Sequence, residues 1–86
     1  MNYYVYMILT EINNRFYSYV GYTNNLKKRI YNHNSSKGAK FTKGKIWQLI
    51  YYKKYSSKKE AMRNEFKLKK DRIKRNLIKL KFINSL

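Results

Sequence analysis

The sequence predicts a small α/β domain in the order strand, strand, helix, strand, helix, with a further helical segment at its end. Three observations predict it. Residues 3–10 and 15–20 are two runs rich in tyrosine and valine, separated by the turn signal Glu11-Ile12-Asn13-Asn14. A third β-prone run spans residues 46–55, from Ile46 through Trp47, Leu49, Ile50, Tyr51 and Tyr52 to Tyr55. After it, Ser57-Lys58-Lys59-Glu60 is a capping box, in which serine and glutamate satisfy the free N–H groups of a helix start. The chain has 86 residues, enough for one small core that hides about 60% of the unfolded surface. It shows no internal repeat and no linker long enough to divide it, so residues 1–86 are expected to form one domain.

Each element has its own justification. Residues 3–10 are apolar on both alternating faces, as in a strand covered on both sides. A hairpin follows if Arg15 to Val20 returns alongside. A four-residue loop, 11–14, sets Thr10 opposite Arg15 and Tyr6 opposite Tyr19, with opposed Cβ atoms about 5 Å apart. The two tyrosines then share a face; a five-residue loop moves the register by one. Gly21 is expected to end the second strand. Thr23, Asn24 or Asn25 caps a helix running to about Asn34. Its apolar side is thin, Leu26 and Ile30 with Tyr31 beside them, and Arg29 and His33 flank that side at i, i+4. Residues 34–45 form a Gly/Ser/Lys-rich connection with room for one helical turn around Ala39–Thr42. The capped helix runs from about Lys58 to about Lys70. Asp71 either caps a second short helix containing Ile73, Leu77, Ile78 and Leu80 or lies within one long bent helix, since no Gly or Pro intervenes.

Charge narrows the partners. There are 21 Lys+Arg against four acids, a net charge of +17. Ile, Lys, Asn and Tyr make up about half the chain, as A/T-rich coding favours, but such coding explains the lysines better than the scarcity of acids. The physical reading is a polyanion partner, because phosphates attract such a surface and release counterions. No segment joins a broad apolar face to a clean basic one, which argues against a membrane surface. Lys28 on the first helix, and Lys37, Lys40, Lys43 and Lys45 with Phe41 in the connection, suit contacts to a nucleic-acid backbone; an ordinary solvated loop fits the latter four equally well. The absence of cysteine excludes disulfides and thiolate zinc sites, and a lone His33 cannot build a histidine zinc site. The first residues have no basic n-region or cleavage site and are too short to span a membrane, so an intracellular, cytoplasmic location is expected, or a nuclear or viral-factory one for a eukaryotic or viral source.

Five residues stand out chemically. With Met62 at zero on a helical wheel, Phe66 falls near about 40°, Leu68 near about 240°, Ala61 near about 260° and Glu65 near about 300°, inside that apolar arc. A carboxylate there is costly unless paired or metal-bound. Glu65 is thus either a structural ion pair or, with waters completing the shell, a ligand for Mg²⁺ or Mn²⁺. Arg29 offers a planar fork for two phosphate oxygens, or is one more surface cation. His33 is placed to donate to a phosphate oxygen or relay a proton, though a lone histidine is commonly structural. Tyr6 and Tyr19 are two of ten tyrosines, most of which must serve packing. A phenol with a reference pKa of about 10 is a poor base unless positive charge stabilises it.

Taken in order, these residues resemble the GIY-YIG endonuclease family. Tyr4-Val5-Tyr6 is similar to its first signature triplet, with Tyr4 where glycine is usual, and Tyr19-Val20-Gly21 is similar to its second. Asn25-Leu26-Lys27-Lys28-Arg29 resembles the run in the nuclease domain of the bacterial excision-repair incision protein. Lys37-Gly38-Ala39-Lys40-Phe41-Thr42 and the Glu65 helix resemble the small stand-alone members, so the likeness covers about residues 3–70. It implies a three-stranded antiparallel sheet flanked by helices and one divalent metal, Mg²⁺ or Mn²⁺, on Glu65. It implies that Arg29 stabilises charge on the scissile phosphate, that Tyr6 orients or deprotonates the attacking water, and that Tyr19 and His33 complete the hydrogen-bond shell. The implied reaction is in-line hydrolysis of a phosphodiester, with DNA the expected substrate. Two departures bear on this: Tyr4 replaces the first glycine, and Tyr22 stands where the excision-repair relative has lysine. Asn76 is a loose counterpart of an asparagine that some members place at the metal. Targeting is expected from the basic surface, from substrate shape or from a partner protein. The rival reading is a catalytically inactive, basic nucleic-acid-binding module.

Overall fold

A computed structural model describes all residues, 1–86. Three antiparallel strands, β1 (Tyr3–Ile12), β2 (Arg15–Thr23) and β3 (Gln48–Tyr55), form one sheet in the order β2-β1-β3. Helix α1 (Leu26–Asn34) and a 3₁₀ turn (Lys40–Thr42) lie between β2 and β3, and α2 (Lys58–Lys70) and α3 (Arg72–Ile83) follow. The expected fold class and element order hold.

β1 is the central strand, and Val5 through Thr10 are all buried, which accounts for its apolar residues on both faces. On one face, Val5, Met7 and Val20 pack with Ala61 and Leu68 of α2. On the other, Tyr6, Ile8 and Trp47 form a second cluster with Tyr19, Leu26, Ile30 and Leu49.

The hairpin corrects the expected register. β1 runs to Ile12, which pairs with Arg15, so the turn is the two residues Asn13 and Asn14 rather than four. Both have positive φ, 54° and 65°, the twist that two-residue hairpins favour and that asparagine tolerates. Tyr6 therefore pairs with Gly21, and Ile8 with Tyr19. The slip is an even number of residues, so side chains keep their faces and Tyr6 and Tyr19 remain on the same side.

Gly21 does not end β2; the strand continues to Thr23. The glycine serves another purpose. A Cβ built there would lie 2.5 Å from the Tyr6 hydroxyl oxygen and 2.7 Å from its ring carbon Cζ. The Tyr6 ring lies across the backbone of its neighbour strand, and only a residue without a side chain leaves it room.

β3 begins at Gln48, two residues later than expected, and Ile46 is exposed. A bulge breaks the β1–β3 register: Met7 pairs with Tyr51 but Ile8 with Leu49, leaving Ile50 unpaired. Ile50 and Tyr51 consequently both pack toward α2 and α3, and Leu49 toward α1. Asp71 separates the last two helices. Its backbone φ, ψ of −91°, 81° is not helical, and its side chain accepts from the Lys74 N–H, so the capped second helix is the arrangement formed and the single bent helix is not.

Candidate active site

The site is assembled where the Tyr6 ring emerges beneath α1. The Asn25 side chain caps α1 by accepting from the Lys28 N–H, which sets the helix phase. Arg29 and His33 then point one turn apart at the sheet. Arg29 Nε donates to the Tyr6 hydroxyl at 3.1 Å, and that hydroxyl lies 2.7 Å from His33 Nε2. His33 Nδ1 lies 2.9 Å from Thr42 Oγ1, and Thr42 donates to the Ala39 carbonyl at 2.8 Å.

The donor directions follow from the two ends. Thr42 spends its only proton on Ala39, so it accepts from His33 Nδ1–H. His33 Nε2 is then an acceptor, and the Tyr6 O–H donates to it. The chain reads Arg29, Tyr6, His33, Thr42, Ala39, each donating to the next. Tyr6, His33 and Thr42 are completely buried and none has an unpaired polar atom.

The connection holds this network from outside. Trp47 Nε1 donates to the Thr42 carbonyl at 2.9 Å. The Asn34 amide pairs with the Trp47 backbone in both directions, at 2.6 and 3.1 Å. Gly38 lies against His33 so closely that any Cβ there would meet the imidazole. Thr42, Trp47 and Gly38 were missed as site-building residues. The Lys37-to-Thr42 run carried the only signal, as a match to stand-alone GIY-YIG proteins with no role attached.

Electrostatics keep the network neutral inside and charged at its rim. Burial pushes the Tyr6 phenol up to about 12, although the Arg29 hydrogen bond and charge pull the other way and Tyr19 and Glu65 add to the rise. Burial, with help from the Arg29 charge, lowers His33 to about 4. Partial burial opposes the Arg29 charge, but the Tyr6 and Tyr19 phenols outweigh it and the guanidinium is held above its usual range. Arg29 is thus a fixed cation, and His33 a neutral acceptor at pH 7.

Two expected roles change. His33 has both ring nitrogens engaged and no exposure, so it cannot donate to a phosphate oxygen in this arrangement. Tyr6 is equally closed off and touches no solvent, so it cannot itself orient or deprotonate an attacking water here. Tyr19 differs. It is half-buried, sits edge-on to His33 at 5.2 Å, stacks with exposed Phe41 at 6.4 Å, and forms part of the wall of an open cleft.

Glu65 also needs correction. Met62 and Phe66, the apolar markers of its expected stripe, are 47% and 57% exposed. The inward positions of α2 are Ala61, Asn64, Glu65 and Leu68, so Glu65 does face inward, but as a partly buried group with 18% side-chain exposure. It pairs with Lys69 one turn on at 3.4 Å. Such an i, i+4 pair is worth a few tenths of a kcal/mol and does not lock the carboxylate. Its charge makes the smallest contribution to the rise of the Tyr6 phenol. The protein has no cluster of three ligating side chains. One partly solvated carboxylate suits Mg²⁺, which keeps several waters and takes substrate oxygens, and does not suit an all-protein cage.

The predicted nucleic-acid lysines are dispersed. Lys28, Lys37, Lys40 and Lys43 are exposed. Lys45 is engaged, its ammonium 2.9 Å from the Phe41 carbonyl and over the Phe41 ring at 5.3 Å. No helix is long and apolar enough to cross a membrane.

This sheet and site define a GIY-YIG-type domain. The family model described as the GIY-YIG catalytic domain matches residues 2–78, and the chain belongs to that family. It is similar to small bacterial proteins of the UPF0213 group. One, from Staphylococcus haemolyticus, is 45% identical over 67 residues, covering 77% of this chain and 78% of that protein. Another, from Oceanobacillus iheyensis, is 46% identical over 52 residues, covering 59% of this chain and only 60% of that relative's own length. The solution NMR structure of a UPF0213 protein from Bacillus halodurans is 42% identical, with 94% of this chain and 86% of that one covered and a TM-score of 0.49.

Proposed function

We propose that the chain is a metal-assisted endonuclease that hydrolyses nucleic-acid phosphodiesters, DNA first among them, with residues 1–86 acting as one nuclease domain. The observation that carries this reading is Arg29: a permanently charged guanidinium held by the Tyr6 hydroxyl, beside the Tyr19 phenol and lining an open cavity. A fixed cation is what a phosphate gaining charge in the transition state requires, since it needs no reorganisation when the charge develops.

The roles divide accordingly. Arg29 holds the scissile phosphate. Tyr6 and His33 position Arg29 and touch no substrate. Tyr19, the half-buried phenol beside Arg29, orients the attacking water. Glu65 would hold a divalent ion, Mg²⁺ or Mn²⁺. Such an ion would supply positive charge at the phosphate and a more acidic water. In the reaction, water oxygen bonds to phosphorus as the bond from phosphorus to the 3′ oxygen breaks. One water proton leaves to solvent, the departing 3′ oxygen takes up a proton from solvent, and a 3′-hydroxyl and a 5′-phosphate result.

The test is single-turnover cleavage of branched, single-stranded and duplex substrates with Mg²⁺ or Mn²⁺ at fixed salt. Arg29→Ala should slow cleavage by on the order of a hundredfold or more, the scale for losing one transition-state contact. Ground-state binding should fall far less, because many lysines remain. Glu65→Ala should abolish cleavage. If it cleaves at the wild-type rate, the site is assigned wrongly. If the wild type cuts none of these substrates but binds them, the chain is a binding module.

A further inference from the structure

A cleft of about 410 Å³ runs between the free edge of β2 and the start of α3. Tyr19 contributes to one wall, and Lys69, Arg72, Arg75, Asn76 and Lys79 form the other. Positions 72, 75, 76 and 79 share one helix face by their spacing. The rest of α3 is used differently: Ile78 packs on the core, and Ile73, Leu77 and Leu80 are exposed. None of the chain's four acids lines the cleft. Lys69 with Glu65 is the protein's single ion pair, so Arg72, Arg75 and Lys79 face the cleft without a carboxylate partner. Like charges gathered this way repel one another and are relieved when a polyanion enters. Arg75 also donates to the Lys69 carbonyl, tying the last turn of α2 to α3 and fixing how the basic face meets the strand edge.

We propose that this cleft binds the phosphodiester backbone next to the bond that is cut, without reading sequence, and that α3 is the helix that carries the substrate strand. The orientation rests on the nuclease reading: Tyr19 borders the cleft and also neighbours His33 and Arg29, which lines a separate cavity with Tyr22 and Lys58, so a strand in the cleft approaches the site by way of Tyr19. Arg72 and Lys79 are seven positions apart. That is about 10 Å of helix axis, the axial rise of about three base-pair steps of a duplex. The connection lysines, by contrast, line no part of this cleft.

The experiment measures binding without divalent metal, by fluorescence anisotropy across a salt series, using a labelled oligonucleotide as single strand and as duplex. The full chain is compared with Arg72→Gln/Lys79→Gln and with Lys37→Gln/Lys40→Gln. The cleft pair should flatten the slope of log affinity against log salt by about 1.8 on the duplex and about 1.4 on the single strand. The connection pair should flatten it by less than half as much. An unchanged slope for the cleft pair, or an equal loss for the connection pair, overturns the proposal. Arg75 is left intact because of its structural bond, and Arg72→Lys/Lys79→Arg should restore the wild-type slope. A measurement on the wild type needs no variant to fold: amide shifts on adding the single strand should centre on residues 18–20 and 72–79, and shifts confined to 37–45 overturn the proposal. Because no metal is present, the two readings separate. A chain that binds through the cleft and never cuts keeps the cleft and loses the nuclease. A wild type that cuts, with a cleft pair of unchanged slope, keeps the nuclease and loses the cleft.

Discussion

On the side of α2 and α3 the sheet presents Val5, Met7 and Val20, which meet Ala61 and Leu68 with no polar atom among the side chains. On the side of α1 it presents Tyr6, which meets His33, and through it Thr42, in a relay of hydrogen bonds that is just as well hidden. The two faces are equally dry but differ in what they demand. Apolar packing needs volume and tolerates exchange among side chains of similar size. A buried polar chain needs every partner, since a single lost acceptor leaves a desolvated donor. The stabilising face and the proposed catalytic face thus share one strand, β1, whose alternate residues serve each.

The sharpest way to separate them is Met7→Ala. Met7 is fully buried, so the cavity should cost about 2–5 kcal/mol. Chemical denaturation measures this, and cleavage per folded molecule should be unchanged. Thr42→Val should cost about 1–3 kcal/mol, because His33 Nδ1–H loses its acceptor in a buried place. Unlike Met7→Ala it should also disturb Arg29, so the folded fraction should cleave more slowly. Acid titration reaches the same face without a mutation. His33 is depressed to about 4 in the folded chain against about 6.5 unfolded. The unfolded chain binds the proton first, so the His33 contribution is complete above pH 6.5 and is lost as pH falls from there through 4. Thermal melts of the wild type and of His33→Gln across that window should converge at the acid end; a difference independent of pH would refute the assignment. Glu65→Gln should change stability by only about 0.5 kcal/mol or less, since it removes one solvent-screened ion pair, while it should abolish any binding of Mn²⁺ detected by electron paramagnetic resonance.

The sequence carried the fold class because its signals were of the kind that survive small errors. Alternation in residues 3–10 reports faces, not register, so Tyr6 and Tyr19 were placed on one side although the turn was two residues shorter than expected. Caps at Asn25, Ser57 and Asp71 are local chemistry and were legible as written. The wheel around Glu65 reached an inward position from misleading neighbours: in so small a chain Met62 and Phe66 find no core to enter. What stayed hidden was the closure of His33. Its second partner, Thr42, comes from a connection without periodicity, and nothing in a lone histidine announces that both nitrogens are taken. The cleft was illegible for a similar reason, since Tyr19 and Lys79 come to border one cleft only through the packing of α2 and α3 on the sheet.

The relay has a consequence for the protons it holds. The Tyr6 hydroxyl proton and the His33 Nδ1 proton sit between buried atoms, and neither residue touches solvent. Exchange with water therefore requires the connection to lift from α1, a local opening whose free energy sets the exchange lifetime. Both protons should give resolved NMR resonances that persist where exposed hydroxyl and imidazole protons vanish into the solvent line. Their lifetimes time the loosening of the connection over α1 in the intact protein, with no substrate added.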